Sequence, residues 1–354
     1  MGFFKKTFLP KIKENKERKE KGEYNGIPFC YENYRNYTES IDKGVYYGLL
    51  SGPGNGKSFW MRYTFIFQPL EFSKETGYKL KILLFALEDS KMQIYKKIVA
   101  HYLWVHKSII ISQKLLESKT DPLPDKYLEM IEEFEDFFDY FEENVYIIDN
   151  CSDPESIYNM CEEAHKKYGE DNHMICIIDN YANVTQGESK NKHEAVTKLS
   201  SEYMRLDLCK KKDWSVLAII QSDLDTEKYA GRNSGGNISA IEPTLGSFGD
   251  NKLISRDIMI IWALFNPWRY GITTYPHQKA GWDIEVLRNR FRSLITLKNN
   301  LEEMAPRLGL YFEGSKGVFS ELPSVDNEEE LGKLYRHVLE QEKKIRESRS
   351  TKSI

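Results

Sequence analysis

The sequence predicts an α/β fold in which a mostly parallel central sheet is flanked by helices. Two observations carry this. Short, apolar, β-branched runs alternate with helical patterns through the 354 residues, and one of those runs leads into a glycine-rich turn, "SGPGNGKS" at 51–58, that opens a helix. Strands apolar on both faces and separated by amphipathic helices belong to sheets covered on both sides.

The strand-like runs, in order, are "VYYGLL", "LKILLFAL", "NVYIID", "MICIIDNY", "WSVLAII", "RDIMIIWAL", "FRSLITLK" and "LGLYF". Between the second and third, Phe134, Phe137, Phe138 and Phe141 recur at helical spacing within an acidic stretch, which predicts a helix with a core-facing stripe and a solvated face. Residues 1–25 read as a basic N-terminal arm or linker helix, with eight Lys/Arg against four Glu in the first 23 positions. The core is expected over 26–325. A C-terminal helical tail over 326–354 carries Leu331, Leu334, Val338 and Ile345 on one stripe.

Composition excludes some classes. A formal net charge of −4 argues against a globally basic nucleic-acid binder, while local basic loops stay compatible with nucleic acid. The five cysteines are odd in number and lack any Cys-x-x-Cys spacing, so reduced thiols and no zinc site are expected. No run has the length of a secretory leader or a membrane span. A cytoplasmic protein without a membrane partner is the expectation.

The chemistry starts at the turn. Ser51, Gly52, Pro53, Gly54, Asn55, Gly56, Lys57 and Ser58 match a phosphate loop, with Ser51 in the place of its first glycine. Glycine lets the backbone N–H groups approach a phosphate, the lysine reaches the outer phosphates of ATP, and the Ser58 hydroxyl ligates Mg²⁺. Hydrolysis also needs a carboxylate for the metal and a group that activates water. Asp179, ending "MICIID", is the candidate metal ligand, and Glu88, at the tip of "LKILLFALE", the candidate general base. Gln221, ending "WSVLAIIQ", can sense the terminal phosphate.

With these residues in order, the chain resembles the RecA-like core of replicative hexameric DNA helicases, the DnaB family. The stretches that carry the likeness are "IPFCYENYRNYTESIDKGVYYGLLSGPGNGKS", "LLFALEDSKMQIYKKIVA", "MICIIDNYANV", "VLAIIQSDLDTEK", "GSFGDNKLISRDIMIIWAL" and the region from "FRSLITLKNN" to "VFSEL", together spanning about residues 26–322. The resemblance implies a RecA-like P-loop NTPase that hydrolyses ATP with Mg²⁺. It also implies a homo-oligomer, a hexameric ring that travels 5′ to 3′ on single-stranded DNA and works beside a primase or helicase loader. Gln93 and Lys97 follow Glu88 in that pattern, with Lys97 where the family has arginine. Lys298 falls on the lysine that reaches the neighbouring subunit's ATP. Asn300 stands where the family's arginine finger belongs, so Arg307, Arg290 or Arg292 would have to substitute, and hydrolysis would be slow or differently arranged.

Loops after the catalytic strands supply candidate contacts to DNA phosphates: Lys190 and Lys192 after Asp179, then Lys228, Arg232, Asn233 and Lys252 after Gln221. Three other readings stay open: a filament-forming recombinase of the RecA or RadA kind, a nucleotide-gated assembly or loading protein with little turnover, and a DNA-packaging motor. The last is disfavoured because no nuclease-like acidic cluster follows the core.

Overall fold

A computed structural model describes residues 2–222, 241–277 and 280–350. Its centre is a nine-stranded sheet. The strands are β1 (Tyr46–Ser51), β2 (Leu80–Ala86), β3 (Val145–Ile148), β4 (His173–Asp179), β5 (Ser215–Gln221), β6 (Ile260–Phe265), β7 (Phe291–Asn299), β8 (Leu308–Glu313) and β9 (Val318–Glu321). They lie in the order β9-β8-β7-β6-β1-β5-β4-β2-β3. The six from β6 to β3 are parallel, and β7, β8 and β9 extend the sheet antiparallel from the β6 edge.

Seven helices recur below: α1 (Leu9–Glu20), α2 (Lys57–Arg62), α3 (Gln68–Thr76), α4 (Lys91–Lys107), α5 (Pro154–Tyr168), α6 (Lys198–Cys209) and α7 (Glu328–Ser350). A π-helical segment, Tyr63–Phe67, joins α2 to α3 without a break, so one long helix leaves the phosphate loop. Ser90 caps α4 in a capping box with Gln93, and Asp153 caps α5. Gln93 therefore has a local structural task at the start of the helix that follows Glu88.

Alternation along the strands divides the interior in two. Tyr46 and Leu50 of β1, Cys176 and Ile178 of β4, and Ala218 and Ile220 of β5 face one core with Leu199, Met204 and Trp214. Tyr47, Leu49, Ile175, Ile177, Leu217 and Ile219 face the other, where Trp60, Phe65 and Trp262 pack with Phe29. Both faces of the sheet are thus buried, which is why its strands read as continuous apolar runs. Phe134, Phe137 and Phe141 are buried as their spacing predicts and Phe138 is half-buried, in the segment between α4 and β3. Leu331 and Val338 of α7 are buried against the first core.

The register matters most at one end. Ser51 pairs with Gln221 and with Leu264, and Ala86 pairs with Asp179, so the carboxyl ends of β6, β1, β5, β4 and β2 form one continuous rim. Ligands of open parallel sheets bind outside this edge.

Candidate nucleotide site

The turn after β1 is shaped by two residues that need glycine. Gly54 has φ +73° and Gly56 φ +97°, left-handed conformations that side chains rarely adopt. A Cβ on Gly56 would also stand 3.3 Å from the Phe312 ring. Gly56 caps α2 without any side-chain hydrogen bond, so the first N–H groups of the long helix are left to an anionic guest. Ser51 fits its unusual place: its hydroxyl donates to the Leu264 carbonyl at 3.2 Å, tying the start of the loop to β6.

Lys57 is buried, and its ammonium lies 3.4 Å from Glu88 Oε2. The same oxygen accepts a hydrogen bond from Asn180 Nδ2 at 2.7 Å. Glu88 is about half exposed, with its side chain at 48% of full accessibility, so solvent reaches the carboxylate that two neighbours hold in place.

Asp179 sits deeper. Burial pushes its carboxyl above the usual range, while Ser58, Arg62 and Lys57 act in the opposite direction. Its Oδ1 is buried with no hydrogen-bond partner. An orphaned carboxylate oxygen beside a serine hydroxyl is a donor set suited to a hard cation with oxygen ligands. Ser58 and Asp179 could therefore hold Mg²⁺.

Sequence reasoning missed a cation behind this pair. Arg62, one turn along the helix from Ser58, is buried with its guanidinium 4.9 Å from the Phe59 ring, and one of its nitrogens has no partner. Burial lowers its pKa, and Asp179 and Asp89 oppose that shift. A Lys-Ser pair followed four residues later by arginine was the available signal, but nothing in the spacing says that the side chain turns inward.

No family model matches the sequence, and none of the curated proteins compared with it does. Solved structures do. One described as a DnaB-like replicative helicase and its interactions with primase superposes with a TM-score of 0.65 at 15% identity, covering 89% of this chain and 66% of that one. A second, described as an ATPase domain, matches with a TM-score of 0.65 at 16% identity, covering 90% of this chain and 99% of that one. The chain shares the fold of these two structures. It spans slightly less than two thirds of the DnaB-like helicase chain.

Within this RecA-like fold, the other expected residues are placed as follows. Gln221 ends β5, in register with Ser51. Lys97 is ion-paired with Asp89 at 2.5 Å, on the first turns of the helix that Glu88 precedes. Lys298 Nζ donates to the carbonyls of Ser255, Arg256 and Ile258, capping the short helix Ile254–Asp257 of its own chain. Asn300 is exposed.

The three arginines considered as substitutes for a finger are engaged within the chain. Arg307 is bidentate on Glu242, at 2.8 and 2.6 Å, and that partnership raises its pKa. Arg290 donates to the Tyr311 hydroxyl at 3.0 Å. Arg292 is buried beneath the phosphate loop itself, donating to the Asn55 carbonyl at 2.6 Å.

Among the DNA candidates, Lys190, Lys192 and Lys252 are exposed. Lys192 bonds the Ala182 carbonyl on the segment that follows Asp179. Lys228, Arg232 and Asn233 lie outside the described residues. No described helix is long and apolar enough to cross a membrane. Among the described residues no cluster of three or more His, Cys, Asp or Glu could hold a metal, and all five cysteines are free.

Proposed function

We propose that the chain is the motor of an ATP-driven helicase that assembles as a homo-oligomeric, hexameric ring and moves on single-stranded DNA during replication. One observation carries the reading: Lys57, Ser58, Asp179, Glu88 and Gln221 come from four strand ends that register brings to one rim. Residues 26–325 would form the motor, with 1–25 and 326–354 as helical extensions, acting in the cytoplasm. The 5′ to 3′ direction, and work beside a primase or loader, are taken from the family resemblance.

The residues divide the work. The Gly52–Gly56 backbone and the start of α2 receive the phosphates, and Lys57 neutralises the outer ones. Mg²⁺, held by Ser58 and Asp179, would draw negative charge from the phosphoryl oxygens. Glu88 takes the proton of the attacking water, held by Asn180 while Lys57 turns towards phosphate. Gln221 couples the end of β5 to the terminal phosphate. Lys190, Lys192, Lys228, Arg232, Asn233 and Lys252 grip DNA phosphates without reading bases. Lys298, with Arg307, serves a neighbouring subunit by exchanging its present partners for the neighbour's nucleotide.

A second reading, a nucleotide-gated loading protein with little turnover, is favoured by Asn300 and by the three carbonyls that hold Lys298. ATP turnover with and without single-stranded DNA, measured with particle mass on the same sample, separates the two. A hexamer-sized particle with DNA-stimulated turnover supports the motor. Tight ATP binding without stimulated turnover supports the loader. Helical filaments would favour a recombinase instead.

A further inference from the structure

The outer side of the phosphate loop carries two cations. Arg292, on β7, is 1% exposed: Nε donates to the Asn55 carbonyl, and Nη1 to the carbonyls of Asn289 and Phe291 at 2.8 and 2.6 Å. Arg269, in the turn Pro267–Tyr270 after β6, is exposed. Its Nη1 alone contacts the loop, donating to the Pro53 carbonyl and to Asn55 Oδ1, and a Cβ on Gly54 would lie 3.7 Å from the same nitrogen. The two guanidiniums are near enough that Arg269 helps burial lower the pKa of Arg292, to about 10.

Two like charges at one loop repel, and the usual remedy is a carboxylate between them. Arg288, Arg290 and Arg307 nearby in sequence all have a glutamate within 4.0 Å. Among the described residues, Arg269 and Arg292 have none. Arg292 is buried with Nε and Nη1 on carbonyls, whereas exposed Arg269 has, among the described residues, no partner for Nε or Nη2. A guanidinium that is exposed and, among the described residues, has free donors and no counter-ion, standing over the backbone of the candidate phosphate loop, is suited to an anion.

We propose that Arg269 contacts the terminal phosphate of the nucleotide bound on its own chain's phosphate loop, making the site selective for triphosphate over diphosphate. The terminal phosphate is the most highly charged group the loop can receive, and guanidinium–phosphate contacts are strong, directional and bidentate. The triphosphate supplies the counter-charge that the protein withholds. This rests on ATP being the ligand of the loop.

Equilibrium binding of fluorescent ATP and ADP analogues to the full chain tests it, with Arg269→Ala, Arg269→Gln, Arg269→Lys and Lys57→Ala. Arg269→Ala should weaken the ATP analogue about 10- to 100-fold, the loss expected for one charge-assisted contact. The ADP analogue should weaken less than about threefold on the same ground. Arg269→Gln retains a donor for the Pro53 carbonyl but no charge, so it should behave as Arg269→Ala, while Arg269→Lys, which keeps the charge but not the planar fork, recovers part of the affinity. Equal weakening of both nucleotides, no weakening of either, or wild-type behaviour of Arg269→Gln beside a defective Arg269→Ala would each overturn the proposal and leave Arg269 a staple on the loop. Unaltered binding in Lys57→Ala would instead overturn the reading of the loop as a nucleotide site.

Discussion

Lys57 and Glu88 meet across the rim of the sheet, ammonium to carboxylate at 3.4 Å, from strands separated by β5 and β4. Such a contact neutralises the lysine until phosphate competes for it. The glutamate is then left with Asn180, whose amide orients the carboxylate at 2.7 Å. Glu88→Gln keeps shape and loses basicity, so ATP turnover should fall by about 10²–10⁴-fold, the range for a lost general base. ATP affinity should stay level or rise, because the competitor for Lys57 is weakened. Single-turnover kinetics with binding measured in parallel checks both parts, and turnover within a few-fold of wild type would remove Glu88 from the chemistry.

Asp179 has two cations beside it and one unpartnered oxygen. Asp179→Asn removes the charge that Lys57 and Arg62 face, and weakens the cation site with little change in volume. The Mg²⁺ concentration for half-maximal turnover should rise by about tenfold or more, as expected when a ligand charge is lost from a hard-cation site. A Mg²⁺ titration of turnover reads this directly. An unchanged midpoint would mean that the metal is held elsewhere.

Buried Asp257 organises the far end of the site's own strands. It accepts hydrogen bonds from Ser200 at 2.9 Å, Ser201 at 2.5 Å and Arg205 at 2.8 Å. Ser200 in turn accepts from Tyr46, which shares a 2.7 Å hydrogen bond with Tyr181, two residues past Asp179. Asp257→Ala strands a buried hydroxyl and a cation, and should cost about 2–3 kcal/mol in urea unfolding. Asp257→Asn, which still accepts, should recover part of this. Lys298 caps the same short helix, so Asp257→Ala should also loosen its hold.

Acid should destabilise the chain through two histidines. Burial lowers the pKa of His101 to about 4 and of His173 to about 3, so both are neutral when folded. His101 donates from Nδ1 to the Lys316 carbonyl at 2.9 Å, clamping the turn between β8 and β9 onto α4. Above pH 6.5 both states are neutral and nothing is lost. As pH falls below the unfolded value the unfolded chain binds protons that the folded chain refuses, and stability declines towards pH 4 for His101 and pH 3 for His173. At 1.36 kcal/mol per unit, His101 should account for roughly 2–3 kcal/mol by pH 4.5. Thermal unfolding of wild type and His101→Gln at pH 7 and 4.5 isolates this share, and identical acid sensitivity would contradict it.

The parallel half of the sheet is legible because each strand is buried on both faces, and the candidate site residues stand at strand ends where a run of apolar residues stops. Lys57, Ser58, Glu88, Asp179 and Gln221 could all be placed that way. In the antiparallel extension β7–β9, the runs "FRSLITLK" and "LGLYF" mark strands but carry no mark of direction. Arg292 was therefore weighed as a cation for another subunit, although β7 returns it to the loop of its own chain. Arg62 and Arg269 are not legible in the sequence for a related reason. Both depend on neighbours far apart in sequence, Arg62 on the charge of Asp179 and Arg269 on the Pro53 carbonyl, and no local pattern encodes these.

The central claim is that ATP and magnesium occupy the turn after β1, with two carboxylates from other strands in attendance. A crystal structure with a non-hydrolysable ATP analogue and Mg²⁺ tests it most directly. The phosphates should lie along Gly52–Ser58, the metal between Ser58 and Asp179, and Glu88 should turn from Lys57 towards the water facing the terminal phosphate. Nucleotide bound away from that turn, or a metal without Asp179 among its neighbours, would contradict it.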